Sequence, residues 1–131
     1  MKYLLLIYSN PENWSHPVFR QAPGFRALPQ GEQDTLAAQA GDLFEEITTS
    51  GEFVLGSALG APADTRSVRV REGVPVATDG PYLEAKEHLA GYFVLDCASP
   101  ERAAEIAARF PDARFGAVEV RPILDMTERQ A

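Results

Sequence analysis

Two apolar runs of strand length, residues 2–8 and 89–97, constrain this chain more than any other feature. The first, Lys2-Tyr3-Leu4-Leu5-Leu6-Ile7-Tyr8, stops at Ser9-Asn10-Pro11; the second passes through Tyr92-Phe93-Val94-Leu95 to Cys97. A strand without polar alternation reads as one covered on both faces. Both runs therefore belong in the middle of a sheet, and the chain must supply enough apolar surface to bury them.

It supplies two helices. Leu36, Ala40, Leu43 and Ile47, with Phe44 beside them, recur at helical spacing across residues 32–50. Glu32, Gln33, Asp34 and Glu45 fall on the polar side, with acidic residues in the first turn and Gly51 as the stop. The second helix starts at Ser99, a good N-cap, followed by Pro100 and Glu101. Ala103, Ile106, Ala107 and Phe110 make its apolar stripe, and Pro111 ends it. Strands are expected at 52–58 and 116–122, and a hairpin at 66–78 turning at Glu72-Gly73. In that hairpin Val68 and Val70 alternate with Ser67, Arg69 and Arg71, which implies one wet face.

The order is strand, helix, strand, hairpin, strand, helix, strand. Without the hairpin it is βαββαβ, the ferredoxin-like unit. The expected class is therefore α+β, an antiparallel sheet with two helices on one face and an inserted β-hairpin, in one domain spanning 1–131. Two helices cover one face only, so a second copy of the chain is the economical cover for the other, and a homodimer is expected. The competing cover is the proline-rich insert at 9–30, an excursion or a lid, which Trp14, Phe19 and Phe25 can pin by burial. His16, inside that insert, reads as a solvated loop histidine. The tail at 123–131 is expected to be flexible.

The net charge is −7, from 12 basic and 19 acidic side chains, which disfavours nucleic acid and anionic membranes as partners. The lone Cys97 forbids an intrachain disulfide, fits a cytoplasmic setting, and reads as a small buried hydrophobe. The opening run is too short for a leader and no small-residue cleavage site follows, so no signal peptide is expected. No window has the length of a transmembrane helix.

The stretch Val76-Ala77-Thr78-Asp79-Gly80-Pro81-Tyr82-Leu83-Glu84-Ala85-Lys86-Glu87 resembles the T-D-G-P-F-x-E-x-K-E motif of the YCII-related proteins, in the subgroup called DGPF-domain proteins. The start, Met1 to Tyr8, is similar to M-K-Y-x-L-L-I-Y. Leu89-Ala90-Gly91-Tyr92-Phe93 is similar to L-G-G-Y-Y, and Phe115-Gly116-Ala117-Val118-Glu119-Val120-Arg121-Pro122 to Y-G-x-V-E-V-R-P. Tyr82 for Phe, Ala90 for Gly, His88 for Gln and a longer insert are the departures. The resemblance implies a ferredoxin-like fold of the dimeric α/β-barrel type. It implies no single reaction. Some relatives carry a His–Asp pair with the His on the first helix, and residues 32–50 contain no histidine. One branch is linked to dehydrohalogenation, which suggests an enzyme. Many members are encoded beside sigma factors, which suggests an accessory role.

The densest polar cluster is Asp79, Glu84, Lys86, Glu87 and His88. Glu84, Lys86 and Glu87 are the candidate catalytic group, since a carboxylate beside a cation can move protons once burial shifts a pKa. Asp79 and His88, with Tyr8 and Tyr92 on the apolar strands, are the candidate ligand-binding residues. The same cluster also reads as a solvated turn with surface ion pairs, Asp79 bonding the turn's backbone, and the tyrosines as packing. Arg66, Arg69 and Arg71 either clamp an anion or protect a strand edge. No metal site is expected, because no Cys/His ligand set has a recognised spacing, and no cofactor is expected. Dinucleotide, P-loop and G-x-S-x-G patterns are absent. The expected function is binding of a small organic molecule in a pocket near the dimer interface, with cofactor-free proton transfer or elimination as the reaction class. The alternative is a non-catalytic accessory protein that binds another protein.

Overall fold

In a computed structural model of the protein, which describes residues 1–11, 13–82 and 87–127, strand β1 (Lys2–Ser9) runs through the middle of the sheet. Its odd positions Tyr3, Leu5 and Ile7 are buried; its even positions Leu4, Leu6 and Tyr8 are half-buried. The apolar run therefore has two faces of unequal cover, because both long helices of the chain lie on the same side.

The insert after β1 is not wholly irregular. It contains a 3-10 turn (Val18–Gln21) and a single-turn helix α1 (Pro23–Arg26). Phe19, Ala22 and Phe25 bury themselves against Leu28, Leu36, Ala40 and Phe115. Helix α2 (Gln30–Ser50) follows, begins two residues earlier than its apolar period requires, and ends at Gly51. The side chain of Gln33 secures its start by donating to Leu28 O at 2.9 Å. Leu43 and Ile47 face the sheet and are fully buried.

Strand β2 (Phe53–Ala58) leads to the hairpin β3 (Arg66–Arg71) and β4 (Val74–Asp79), then β5 (His88–Asp96). Helix α3 (Pro100–Arg109) is capped as its sequence requires: Ser99 Oγ accepts from the Arg102 N–H at 3.1 Å. One further turn, α4 (Asp112–Phe115), and β6 (Ala117–Pro122) complete the chain. The Ile123 N–H still donates to Lys2 O at 2.9 Å, so pairing runs one residue past β6.

The main sheet is antiparallel in the order β2-β5-β1-β6, the ferredoxin-like arrangement, with β1 and β5 central. Leu5 pairs with Phe93 and Val120, and this row faces the helices. The core joins Tyr3, Leu5 and Leu95 of the sheet to Leu43 and Ile47 of α2 and to Ala103, Ile106 and Phe110. Each large aliphatic side chain buried there contributes roughly 1.5–3 kcal/mol. Leu4, Leu6, Tyr92, Val94 and Leu55 lie on the opposite, open face.

The hairpin departs from the expected one wet face. It pairs only with itself, and its apolar row is exposed as well, Val68 at 63% and Val70 at 59%. Its base is pinned by Gly80 N–H donating to Thr65 O at 2.7 Å. Its turn needs φ of 53° at Glu72 and 78° at Gly73, and glycine adopts the second without steric cost.

Candidate functional site

The aromatic side chains on the helix side of the sheet leave a gap. Phe93 stacks on Phe110 at 5.1 Å between centroids and meets Phe53 edge-on at 6.0 Å; Phe53 in turn meets Phe44 at 4.9 Å. Phe93 can lie flat against β2 only because residue 56 is glycine; a Cβ there would overlap its ring. The rings form one wall of a cavity of about 490 Å³, within the range of small-molecule sites. The opposite wall is the chain after β1: His16, Pro17, Val18 and Phe19. Ile7, Ala40, Ala58 and Ala90 complete the apolar lining.

The insert is held over the cavity by two side chains that share one acceptor. Trp14 Nε1 donates to Leu59 O at 2.9 Å, and His16 Nε2 lies 2.6 Å from the same oxygen. A carbonyl only accepts, so Nε2 carries a hydrogen. Val18 and Phe19 are buried behind it.

Asp112 lies on the same cavity, placed there by the turn that Pro111 makes after α3. It is half-buried, and removal from water pushes its pKa up, offset by its own backbone N–H and by the charge of His16. The cavity thus has a long apolar body and a short polar end built from His16 and Asp112, with Ser57 also in the lining.

The described candidates read from the sequence, Glu87, Asp79, His88, Tyr8 and Tyr92, do not line this cavity. Glu84 and Lys86 lie outside the described residues. Glu87 is exposed just before β5. Asp79 is exposed at the end of β4, opposite Arg66. His88 pairs with Ser9 and lines a second hollow of about 430 Å³ together with Asp64, Pro81 and Tyr82. Tyr8 and Tyr92 stand on the open face of the sheet, away from the phenylalanine-walled cavity. The Tyr8 hydroxyl donates to Glu119 Oε2 at 3.4 Å, and desolvation, followed by the Glu119 charge, raises its pKa. The structure thus brings Tyr8 and Tyr92 onto one face and His88 beside the hairpin base, but not into one site.

His16 and Asp112 were not evident as a pair. His16 is an exposed loop histidine, as its sequence implies, and Asp112 follows a helix stop, so neither position signals the other. The available signal was the insert itself, since an aromatic-anchored segment of that length is a roof over something. Cys97 is buried in the main core, where desolvation and then the Glu52 charge push its thiol pKa up, disfavouring a nucleophilic role. Among the described residues no three His, Cys, Asp or Glu side chains are grouped as a metal ion would need. Among them, too, no helix is long and apolar enough to cross a membrane.

Comparison with known proteins agrees with this architecture. An uncharacterized protein of Rhizobium meliloti (strain 1021) is 37% identical over 59 residues, an alignment covering 44% of this chain and 48% of that protein. The model of the YCII-related domain matches residues 1–127, and the chain belongs to that family.

Proposed function

We propose that this protein binds a small, largely apolar organic molecule in the cavity beneath residues 16–19, and that His16 and Asp112 do acid–base work on it. The observation that carries this is the placement of a half-buried carboxylate of raised pKa and an orientated imidazole at the end of an otherwise apolar, phenylalanine-walled cavity. A carboxylate whose pKa is raised towards neutrality is a better base than a solvated one, and cofactor-free proton transfer is the simplest chemistry such an end supports. The second component of the proposal is a homodimer through the open face. Glu84, Lys86 and Glu87 of the DGPF-like turn are retained as a rival site, since that turn is the most specific part of the family likeness.

A thermal-shift screen with small aromatic compounds tests the cavity. Ligand-induced stabilisation in the wild type should be lost in Ala58→Trp, which fills the cavity from an exposed position, and kept in Glu84→Gln. The reverse pattern would transfer the site to the turn. The accessory-protein alternative draws on the exposed valines of the hairpin, a surface suited to another protein. It predicts no saturable small-molecule binding at all.

A further inference from the structure

We infer that the ligand of this cavity is a hydrophobic organic amine, an aromatic ring joined by a short linker to an ammonium group. The inference rests on the reading of the cavity as a binding site and adds the chemical class. It follows from what the polar end can accept and what it cannot.

The end presents acceptors. Asp112 contributes a carboxylate, and the Leu59 carbonyl engages the Nε2–H of His16. An ammonium group has three donors and no acceptor, so it fits that carboxylate. An anionic ligand meets the opposite situation. Among the described lining residues there is no Lys or Arg, and the nearby Arg109 and Arg114 open onto a different groove beside α2. A carboxylate or phosphate placed in the cavity would face Asp112 with no Lys or Arg in the lining to offset it.

The body of the cavity selects the rest of the molecule. Phe53 and Phe93 present apolar ring surface to the rest of the ligand. A volume of about 490 Å³ holds one ring and a short chain with room to spare. Asp112 is half-buried, and an ammonium partner would offset the charge that its burial disfavours.

The test is calorimetric titration of the full chain with three probes of matched shape: 2-phenylethylamine, 2-phenylethanol and phenylacetate. The expected order of affinity at neutral pH is amine, alcohol, acid, with the amine at least about tenfold tighter than the alcohol. Asp112→Asn should bring the amine down to the level of the alcohol, closing the gap between them. Should that variant fold poorly, the wild-type order decides by itself. If the alcohol or acid binds as tightly as the amine, and Ala58→Trp abolishes that binding, the amine class is wrong and the cavity stands. If none of the three binds, both the class and the cavity reading fall.

Discussion

Asp112 pays an unfavourable desolvation cost in the fold, and that makes its protonation state a stability reporter. Its pKa is raised on folding, so the native state holds the proton more tightly than the unfolded chain does. Stability from this group is therefore greatest below its unfolded pKa and falls as pH rises through the folded value. Asp112→Asn removes the ionisation. The variant should melt above the wild type at pH 7, and the difference should shrink as the pH is lowered towards 4; chemical unfolding at the two pH values reads this directly. An Asn variant less stable than the wild type at pH 7 would mean that the carboxylate is structurally engaged. At this scale the sequence was readable where a residue acts on its own neighbours. Ser99 caps the helix it precedes, and Glu72-Gly73 makes the turn it occupies. Asp112 and His16 were not readable because their meaning depends on each other across nearly the whole chain.

Elements are joined here by a charged clasp as well as by the core. Arg102 of α3 holds Glu52, at the entry to β2, through Nε at 2.8 Å and Nη2 at 3.0 Å, and also reaches Glu46 of α2 and Glu105. This fork-shaped pairing draws the Glu52 pKa down to about 2, with the Arg102 hydrogen bonds as the largest cause. The stabilisation is thus fully present above the ordinary carboxylate pKa of about 4.3 and is lost as pH falls through about 2. Arg102→Met should cost about 1–3 kcal/mol at pH 7. It should also flatten the acid limb of the stability curve over that window. Element order was legible because apolar periodicity is a local record of burial: the strands and both long helices lie within a few residues of where the pattern puts them. The hairpin's second exposed face was not, because alternation reports that a strand has an apolar side, not that the chain itself covers it.

For the whole molecule the open sheet face poses the same question. Leu4, Leu6, Tyr92, Val94 and Leu55 line it, and the two long helices lie on the other side. A homodimer that joins two such faces would bury them, and sedimentation should show a dimer that Leu6→Glu weakens by at least about tenfold. A wild-type monomer at all concentrations would exclude this arrangement. The cavity lies on the opposite side of the sheet from that face, so ligand binding and dimerisation are expected to be separable by mutation. The claim that the cavity beneath residues 16–19 is the binding site is tested most directly by mapping amide chemical shifts during titration with 2-phenylethanol. The account predicts saturable shifts gathered at residues 16–19, 53–58, 90–93 and 110–112. Saturable shifts centred on the DGPF-like turn, on Tyr8 and Tyr92, or on the hairpin would contradict it.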